Sequence, residues 1–321
     1  MRQPRILLHN DVTAPLAELL LERFPHVTVA ECNSYEAMPD ALSAFGPDIV
    51  YTVRFGGSDG FPRDAMLAQG GLRWIANGGA GIEHLGLWDP SALTVTNAAG
   101  VAADMMAEYI MGGFLHFTLD VRGLQKDKAV RRWQARMVRP LAGQMMLIVG
   151  LGHTGQALAA RAKAFGMTVV GTRARPRPME NVDDVAGPDQ LVALARRADF
   201  IAVCTPLTAT TRGLVDRTVF DAVKPGAVLA DVSRGGVIVA QDLLAALEDG
   251  RIAGAALDVF ETEPLPADSA FWSMENVLIS PHCSSVSEGW AQASFRLFLN
   301  NLGRWMEGET LSNVVDPLRG Y

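Results

Sequence analysis

Short apolar runs, separated by turns and by stretches of helical length, lay out the plan of this chain. Ile6-Leu7-Leu8, Val27-Thr28-Val29, Ile49-Val50-Tyr51, Met145 to Val149, Thr168-Val169-Val170, Phe200 to Val203 and Ala227-Val228-Leu229 are each about strand length, and apart from Val27-Thr28-Val29 none alternates apolar with polar positions. A strand that buries one face alternates and a strand covered on both faces does not, so these runs predict parallel strands sandwiched between helices. Strand and helix alternate on both sides of Gly100, the pattern of βαβ units, which predicts two doubly wound α/β units.

The first crossing between the units is expected at Asn97-Ala98-Ala99-Gly100, followed by one long apolar helix from about Val101 to Gln125 with only Gly112-Gly113 to interrupt it. The amphipathic stretch Glu288 to Glu307 is expected to carry the chain back. The expected domains are therefore 1–97 with 287–321, which would hold substrate, and 98–286, which would hold a nucleotide.

Gly150-Leu151-Gly152-His153-Thr154-Gly155 gives the second unit its chemistry. Three spaced glycines are a weak signal alone, but here they fall between the strand Met145 to Val149 and the helical stretch Gln156 to Phe165. In that turn Gly150 makes the tight bend, Gly152 lets a pyrophosphate approach and Gly155 lets helix and strand pack. The helix N-terminus, with free amides and a positive dipole end, holds the phosphate. Thr154 is assigned to the same contact, and His153 to its solvent side.

A dinucleotide without a ribose phosphate is usually held by an acid about 20 positions past the first glycine. Thr172 and Arg173 stand there instead, no carboxylate appears before Glu180, and Arg175 and Arg177 follow on a segment stiffened by Pro176 and Pro178. Hydroxyl and guanidinium partners suit a 2′-phosphate, so NADP(H) is expected over NAD(H), with Thr172, Arg173 and Arg175 as contacts.

Composition narrows the partners. Of 321 residues 49% are hydrophobic, enough for a large core, and the net charge of −7 argues against a nucleic-acid or anionic-membrane surface. An anionic ligand must then be held by local arginines. Cys32, Cys204 and Cys283 share no short spacing, so neither a disulfide framework nor a zinc or other metal site is expected, and a cytoplasmic protein fits. No run approaches the roughly 18 apolar residues of a membrane span, so a soluble, unexported chain is expected.

Further motifs follow the glycine loop in order: Thr205 to Gly213, Asp231-Val232-Ser233-Arg234-Gly235-Gly236-Val237-Ile238, Leu257 to Pro264, and Ser280-Pro281-His282. Together with the glycine loop these resemble the D-isomer-specific 2-hydroxyacid dehydrogenases, the family that includes glyoxylate/hydroxypyruvate reductases. The resemblance implies a Rossmann-type doubly wound parallel-sheet nucleotide domain inserted in a smaller flavodoxin-like α/β substrate domain.

It also implies roles. Arg234 would bind the substrate carboxylate and keto oxygen, His282 would be the acid/base, and Glu263, 29 positions after Arg234, would be its partner. The chemistry agrees: a guanidinium holds a 2-keto acid, an imidazole protonates its carbonyl, and a carboxylate keeps that imidazole charged. Thr205, Pro206, Thr211, Val232, Ser233, Arg234, Asp258, His282 and Ser284 would line the cofactor, with Asp258 at the nicotinamide carboxamide. The backbone of Gly78, Gly79, Ala80 and Gly81 would cradle the substrate carboxylate. Arg54 is a further substrate-binding candidate, Trp133 and Trp290 are pocket candidates, and Cys283 is read as packing.

The reading is a reductase of a small 2-keto acid, of the glyoxylate or hydroxypyruvate type, yielding the D-2-hydroxy acid. A homodimer through the helix after Gly100 accompanies it. Short-form phosphoglycerate, phosphite or formate dehydrogenases, and a non-catalytic NAD(P)-sensing protein, stay open as alternatives. Glu83, where many members carry Asp, and the polar run Cys283-Ser284-Ser285 leave substrate identity undecided.

Overall fold

The computed structural model describes residues 3–53 and 60–320. Two compact units emerge, one made of Met1–Val101 with Glu288–Tyr321 and the other of Ala102–Ser287. The first contains β1 (Arg5–His9), α1 (Ala14–Arg23), β2 (Thr28–Cys32), α2 (Met38–Phe45), β3 (Ile49–Thr52), α3 (Arg63–Leu67), β4 (Trp74–Asn77) and β5 (Thr94–Thr96). The second contains α4 (Ala103–Thr118), α5 (Val121–Ala129), β6 (Met145–Val149), α6 (His153–Ala164), β7 (Thr168–Thr172), β8 (Asp184–Ala186), α7 (Leu191–Ala195), β9 (Phe200–Val203), α8 (Arg217–Ala222), β10 (Ala227–Asp231), α9 (Ala240–Glu248), β11 (Ile252–Leu257) and β12 (Val277–Ile279). The last helix, α10 (Trp290–Glu307), packs Phe295, Phe298, Leu299 and Leu302 into the core of the first unit.

The first unit carries a five-stranded sheet in the order β2-β1-β3-β4-β5 and the second a seven-stranded sheet in the order β12-β11-β10-β9-β6-β7-β8. Every strand pair is parallel. The seven-stranded order is the Rossmann arrangement with one extra strand, and the five-stranded order is that of flavodoxin-like folds.

The unalternating strands have a direct cause in packing. Leu147, Val149, Ile201 and Leu229 enter one core, while Met146, Ile148, Phe200, Ala202 and Val228, from the same strands, enter another. In the first unit Ile6, Leu8, Ile49 and Tyr51 enter one core, and Leu7 and Val50 the other. The central strands of both sheets are covered on both faces, so both parities there must be apolar, whereas the edge strand β2 leaves Thr28 and Glu31 exposed.

The long helix expected from Val101 to Gln125 is two helices. Asp120 adopts φ +50 between α4 and α5 and caps α5, its carboxylate accepting from the Gly123 amide at 3.0 Å. Neither glycine nor proline marks the break, so apolar periodicity could not reveal it. Gly113 lies inside α4, where a β-carbon would stand 2.7 Å from that of Ala256 on β11; the glycine buys close approach of helix to sheet. Strands β4, β5, β8, β11 and β12 were not legible as apolar runs. Ile252 to Leu257 is diluted by glycine and alanine, and β5, β8 and β12 are three residues each.

Candidate active site

Because all strands of the second unit run parallel, their carboxyl ends lie along one edge of the sheet. The glycine loop follows β6, Thr172 ends β7, Thr205 follows β9, Arg234 follows β10, Asp258 follows β11 and His282 follows β12. Strand order reverses between β6 and β9, and ligands of open α/β sheets bind at the carboxyl ends beside such a reversal.

At that reversal the backbone leaves β6 through Gly150 at φ +103, a conformation that disfavours any β-carbon. The Gly150 and Leu151 amides donate to the Thr172 carbonyl at 3.1 and 3.0 Å, which ties the turn to the end of β7. A β-carbon on Gly150 would stand 2.8 Å from the Thr205 nitrogen, and one on Gly155 would overlap the Gly150 carbonyl oxygen. Gly152 has nothing within 4 Å of its would-be β-carbon. It caps α6 with no side chain bonded to the helix end, so the first amides of α6 are left for an outside acceptor. Two positions that tolerate no side chain and one that opens to solvent at a helix N-terminus fit a dinucleotide pyrophosphate. His153 is exposed and Thr154 half-buried there.

Arg173 is half-buried and Arg175 and Arg177 are exposed. Arg173 donates its backbone amide to Ala186 at 3.0 Å and its guanidinium only to the sulfur of Met179. Among the described residues none of the three makes an ion pair with a carboxylate.

Other expected cofactor contacts are engaged within the protein or buried. The Thr211 hydroxyl is consumed inside its own loop, donating to the Pro206 carbonyl at 2.6 Å and accepting from the Thr208 amide at 2.7 Å. Thr172, Val232, Ser233 and Ser284 are 2 to 4% exposed, so they form the floor of the edge and present little side chain to a ligand.

Asp231 and Asp258, at the ends of adjacent strands, are the buried acids of the edge. Asp231 accepts from the Ser233 amide at 2.9 Å and from its hydroxyl, bracing the residue before Arg234. Burial pushes the Asp231 carboxyl up to about 7. Gly235 lies so near the backbone that a β-carbon would overlap the Phe260 carbonyl, which brings the arginine loop against the segment leading to Glu263.

Glu263 has one oxygen on each of two jobs. Oε1 accepts from the Phe260 amide at 2.9 Å, and Oε2 faces His282 Nδ1 at 2.8 Å. A carboxylate only accepts, so the contact places the proton on Nδ1 and turns Nε2 away from Glu263. Both side chains are about one-third exposed, 35% for Glu263 and 39% for His282, so the pair is open to a ligand.

His282 itself sits at φ +50, which costs a non-glycine residue on the order of 1–2 kcal/mol. Asp258 holds it there. Its carbonyl accepts from the His282 amide at 2.9 Å, and its carboxylate accepts from the amides of Cys283 at 2.8 Å and Ser284 at 3.1 Å. The Ser280 hydroxyl also donates to Asp258, and Tyr109 of α4 lies 2.6 Å from that hydroxyl. Since the serine proton is committed to the carboxylate, Tyr109 is the donor, and burial raises its phenol so that it keeps its proton. Asp258, expected at a nicotinamide carboxamide, is thus first a clamp on the histidine loop. Oδ2, which shares only the Ser284 amide, keeps acceptor capacity.

A family model described as D-isomer specific 2-hydroxyacid dehydrogenase, NAD binding domain, matches residues 111–284, more than half of the chain. The chain belongs to that family. As a member it is an NAD(P)-dependent 2-hydroxyacid dehydrogenase. The dehydrogenase is 32% identical to the glyoxylate reductase of Thermococcus onnurineus over 98% of its own length and 96% of the relative's. It is 30% identical to the D-3-phosphoglycerate dehydrogenase of Methanocaldococcus jannaschii over 95% of its length, but spans only 59% of that protein. Among solved structures, a D-isomer specific 2-hydroxyacid dehydrogenase from Xanthobacter autotrophicus in complex with NADPH and MES superposes with a TM-score of 0.85 at 28% identity, covering 99% of this chain and 100% of that one.

In the first unit of the dehydrogenase, the backbone of Gly78 to Gly81 follows β4, and Gly78 has no room for a side chain, since a β-carbon would meet the Tyr51 hydroxyl at 2.6 Å. Arg54 lies outside the described residues. Trp133 is fully exposed, and Trp290 opens α10, half-buried. Reading of the sequence missed Tyr109 and the bracing roles of Ser280 and Asp231. Ser280 stands two residues before His282, a detectable signal, whereas nothing in the sequence links Tyr109 to position 280.

Proposed function

We propose that this chain is an NADPH-preferring reductase of a small 2-keto acid, of the glyoxylate or hydroxypyruvate type, that yields the D-2-hydroxy acid. The observation that carries the reading is the His282 imidazole held through Nδ1 by Glu263, with Nε2 left to deliver a proton. A bound nicotinamide supplies the hydride to the carbonyl carbon. His282 then gives the Nε2 proton to the carbonyl oxygen as negative charge develops there, and Glu263 stabilises the cationic ring before transfer. Arg234 pairs with the substrate carboxylate and polarises the keto oxygen, and the Gly78 to Gly81 amides take up the carboxylate.

Preference for NADPH rests on the absence of a carboxylate at Thr172-Arg173 and on the three arginines that follow, and it is supported by the NADPH complex of the Xanthobacter relative. In this reading the second unit is the dinucleotide-binding domain and the first the substrate domain. The fully exposed Trp133 and Met137 fit a homodimer. Three free cysteines suit a reducing cytoplasm.

Cofactor oxidation with glyoxylate, hydroxypyruvate, pyruvate and phenylpyruvate, each with NADPH and NADH in parallel, tests the reading. Turnover of a short keto acid, faster with NADPH, is expected. Equal or better turnover with NADH would sink the arginine assignment, and silence with both cofactors would sink the keto-acid assignment.

A further inference from the structure

The loop proposed to take the substrate carboxylate owes its polarity to side chains that never touch a substrate. Gly78 O accepts from the Ser294 hydroxyl at 2.7 Å; Gly79 O accepts from Asn77 Nδ2 at 2.8 Å and from the Ala98 amide at 2.9 Å. Ala80 O accepts from Asn97 Nδ2 at 2.7 Å and Gly81 O from Asn77 Nδ2 at 2.9 Å. Four consecutive carbonyls are therefore captured. Their captors sit close together, for Asn77, Asn97, Ala98 and Ser294 line a single small cavity of about 10 Å³.

A trans peptide points its N–H opposite to the preceding C=O. With the carbonyls of Gly78, Gly79 and Ala80 each pointed at its captor, the amides of Gly79, Ala80 and Gly81 in the same peptides must point away from those captors. Their exposure agrees: Gly78 is buried, Gly79 and Gly81 are half-buried and Ala80 is exposed. Among the described residues these three amides have no acceptor. Successive amides facing one way form an anion receptor without a formal charge.

We infer that Asn77, Asn97 and Ser294 are positioning residues which, by capturing the carbonyls of Gly78 to Gly81, set the three outward amides as the receptor for the substrate carboxylate. This rests on the keto-acid reading above. Asn77 is adjacent in sequence, but Asn97 follows β5 and Ser294 comes from α10, so the receptor is assembled by three distant segments of the first unit. Ser294 also lies 3.3 Å from the Tyr51 hydroxyl, a second partner that holds it in place.

Steady-state kinetics with glyoxylate and saturating NADPH on Ser294→Ala and Asn97→Ala test this, with Asn301→Ala as control. Asn301 lines the same cavity but bonds Ser312, not the loop. Losing one captor is expected to raise KM for glyoxylate and the inhibition constant of oxamate about five- to tenfold, with kcat and NADPH affinity within about twofold. Asn301→Ala is expected to leave KM unchanged. Equal KM shifts in all three variants would reduce the captors to general packing, and no shift in Ser294→Ala and Asn97→Ala would remove their role; either overturns the inference. If the parent reduces no keto acid, the reading of function fails first, and the receptor is then read from the Gly79 and Gly81 amide resonances on addition of oxamate. Movement in the parent that is weakened in Ser294→Ala supports it, and no movement overturns it.

Discussion

His282 shows how much tertiary structure is spent on one side chain. Its ring is fixed by Glu263 at Nδ1, and its left-handed backbone is fixed by an aspartate that gathers the amides of residues 282 to 284. Such over-determination is what lets a non-glycine residue stay at positive φ. Removal of the acid, as in His282→Ala, is expected to lower kcat about 10²–10⁴-fold. Arg234→Ala is expected to act mainly through KM for the keto acid, because it removes the carboxylate partner, with a smaller fall in kcat from the lost polarisation of the keto oxygen. Kinetics of both variants with glyoxylate check this, and near-parental values in either would contradict the assignment. His282 and Glu263 were legible as motif members, but their hydrogen bond spans 19 residues, and its geometry depends on where β11 and β12 end.

At the scale of elements, the segment after α4 departs most from its sequence pattern. Asp120 breaks the helix, and Arg136 returns to pair with both Asp120 and the buried Asp127, at 2.7 Å for the latter. The clasp holds the Arg136 side chain, while Trp133 and Met137 are wholly exposed and Val130 and Val138 more than half exposed. These four exposed apolar side chains are the surface on which the proposed homodimer can be tested. Sedimentation is expected to give a dimer for the parent and a shift toward monomer for the double variant Trp133→Ser, Met137→Ser. A monomeric parent would exclude the homodimer. The sequence pointed to the apolar helix after Gly100 as the dimer contact and gave no sign of this segment, because the break and the clasp depend on a carboxylate reaching forward to Gly123 and an arginine reaching back across 16 residues.

Across the whole molecule, burial also leaves a mark on stability. His9 ends β1 fully buried, bonded through Nδ1 to Thr52 at 2.8 Å, and burial lowers its pKa from 6.5 to about 4. The unfolded chain therefore takes up a proton as pH falls through 6.5, while the native chain does so only near 4. Stability from this group is complete above 6.5 and is lost across that window, by up to about 3 kcal/mol. Thermal melts over the window are expected to fall more steeply for the parent than for His9→Gln. Parallel slopes would show that His9 does not govern the loss.

The sequence by itself determined the α/β class, the strands that bury both faces, the glycine turn after Val149 and the ordered motifs of the family. These are local, because a strand covered on two sides and a turn that admits no β-carbon restrict residue type at each position. Only the tertiary structure decided the short edge strands, the break at Asp120, the diversion of Thr211 to its own loop and the double duty of Asp258. It alone brought Ser294 of α10 to the carbonyl of Gly78, 216 residues away. Hydrogen bonds of that span are set by strand order and register, which leave no periodic trace along the chain, so a single sequence shows the groups and not their partners.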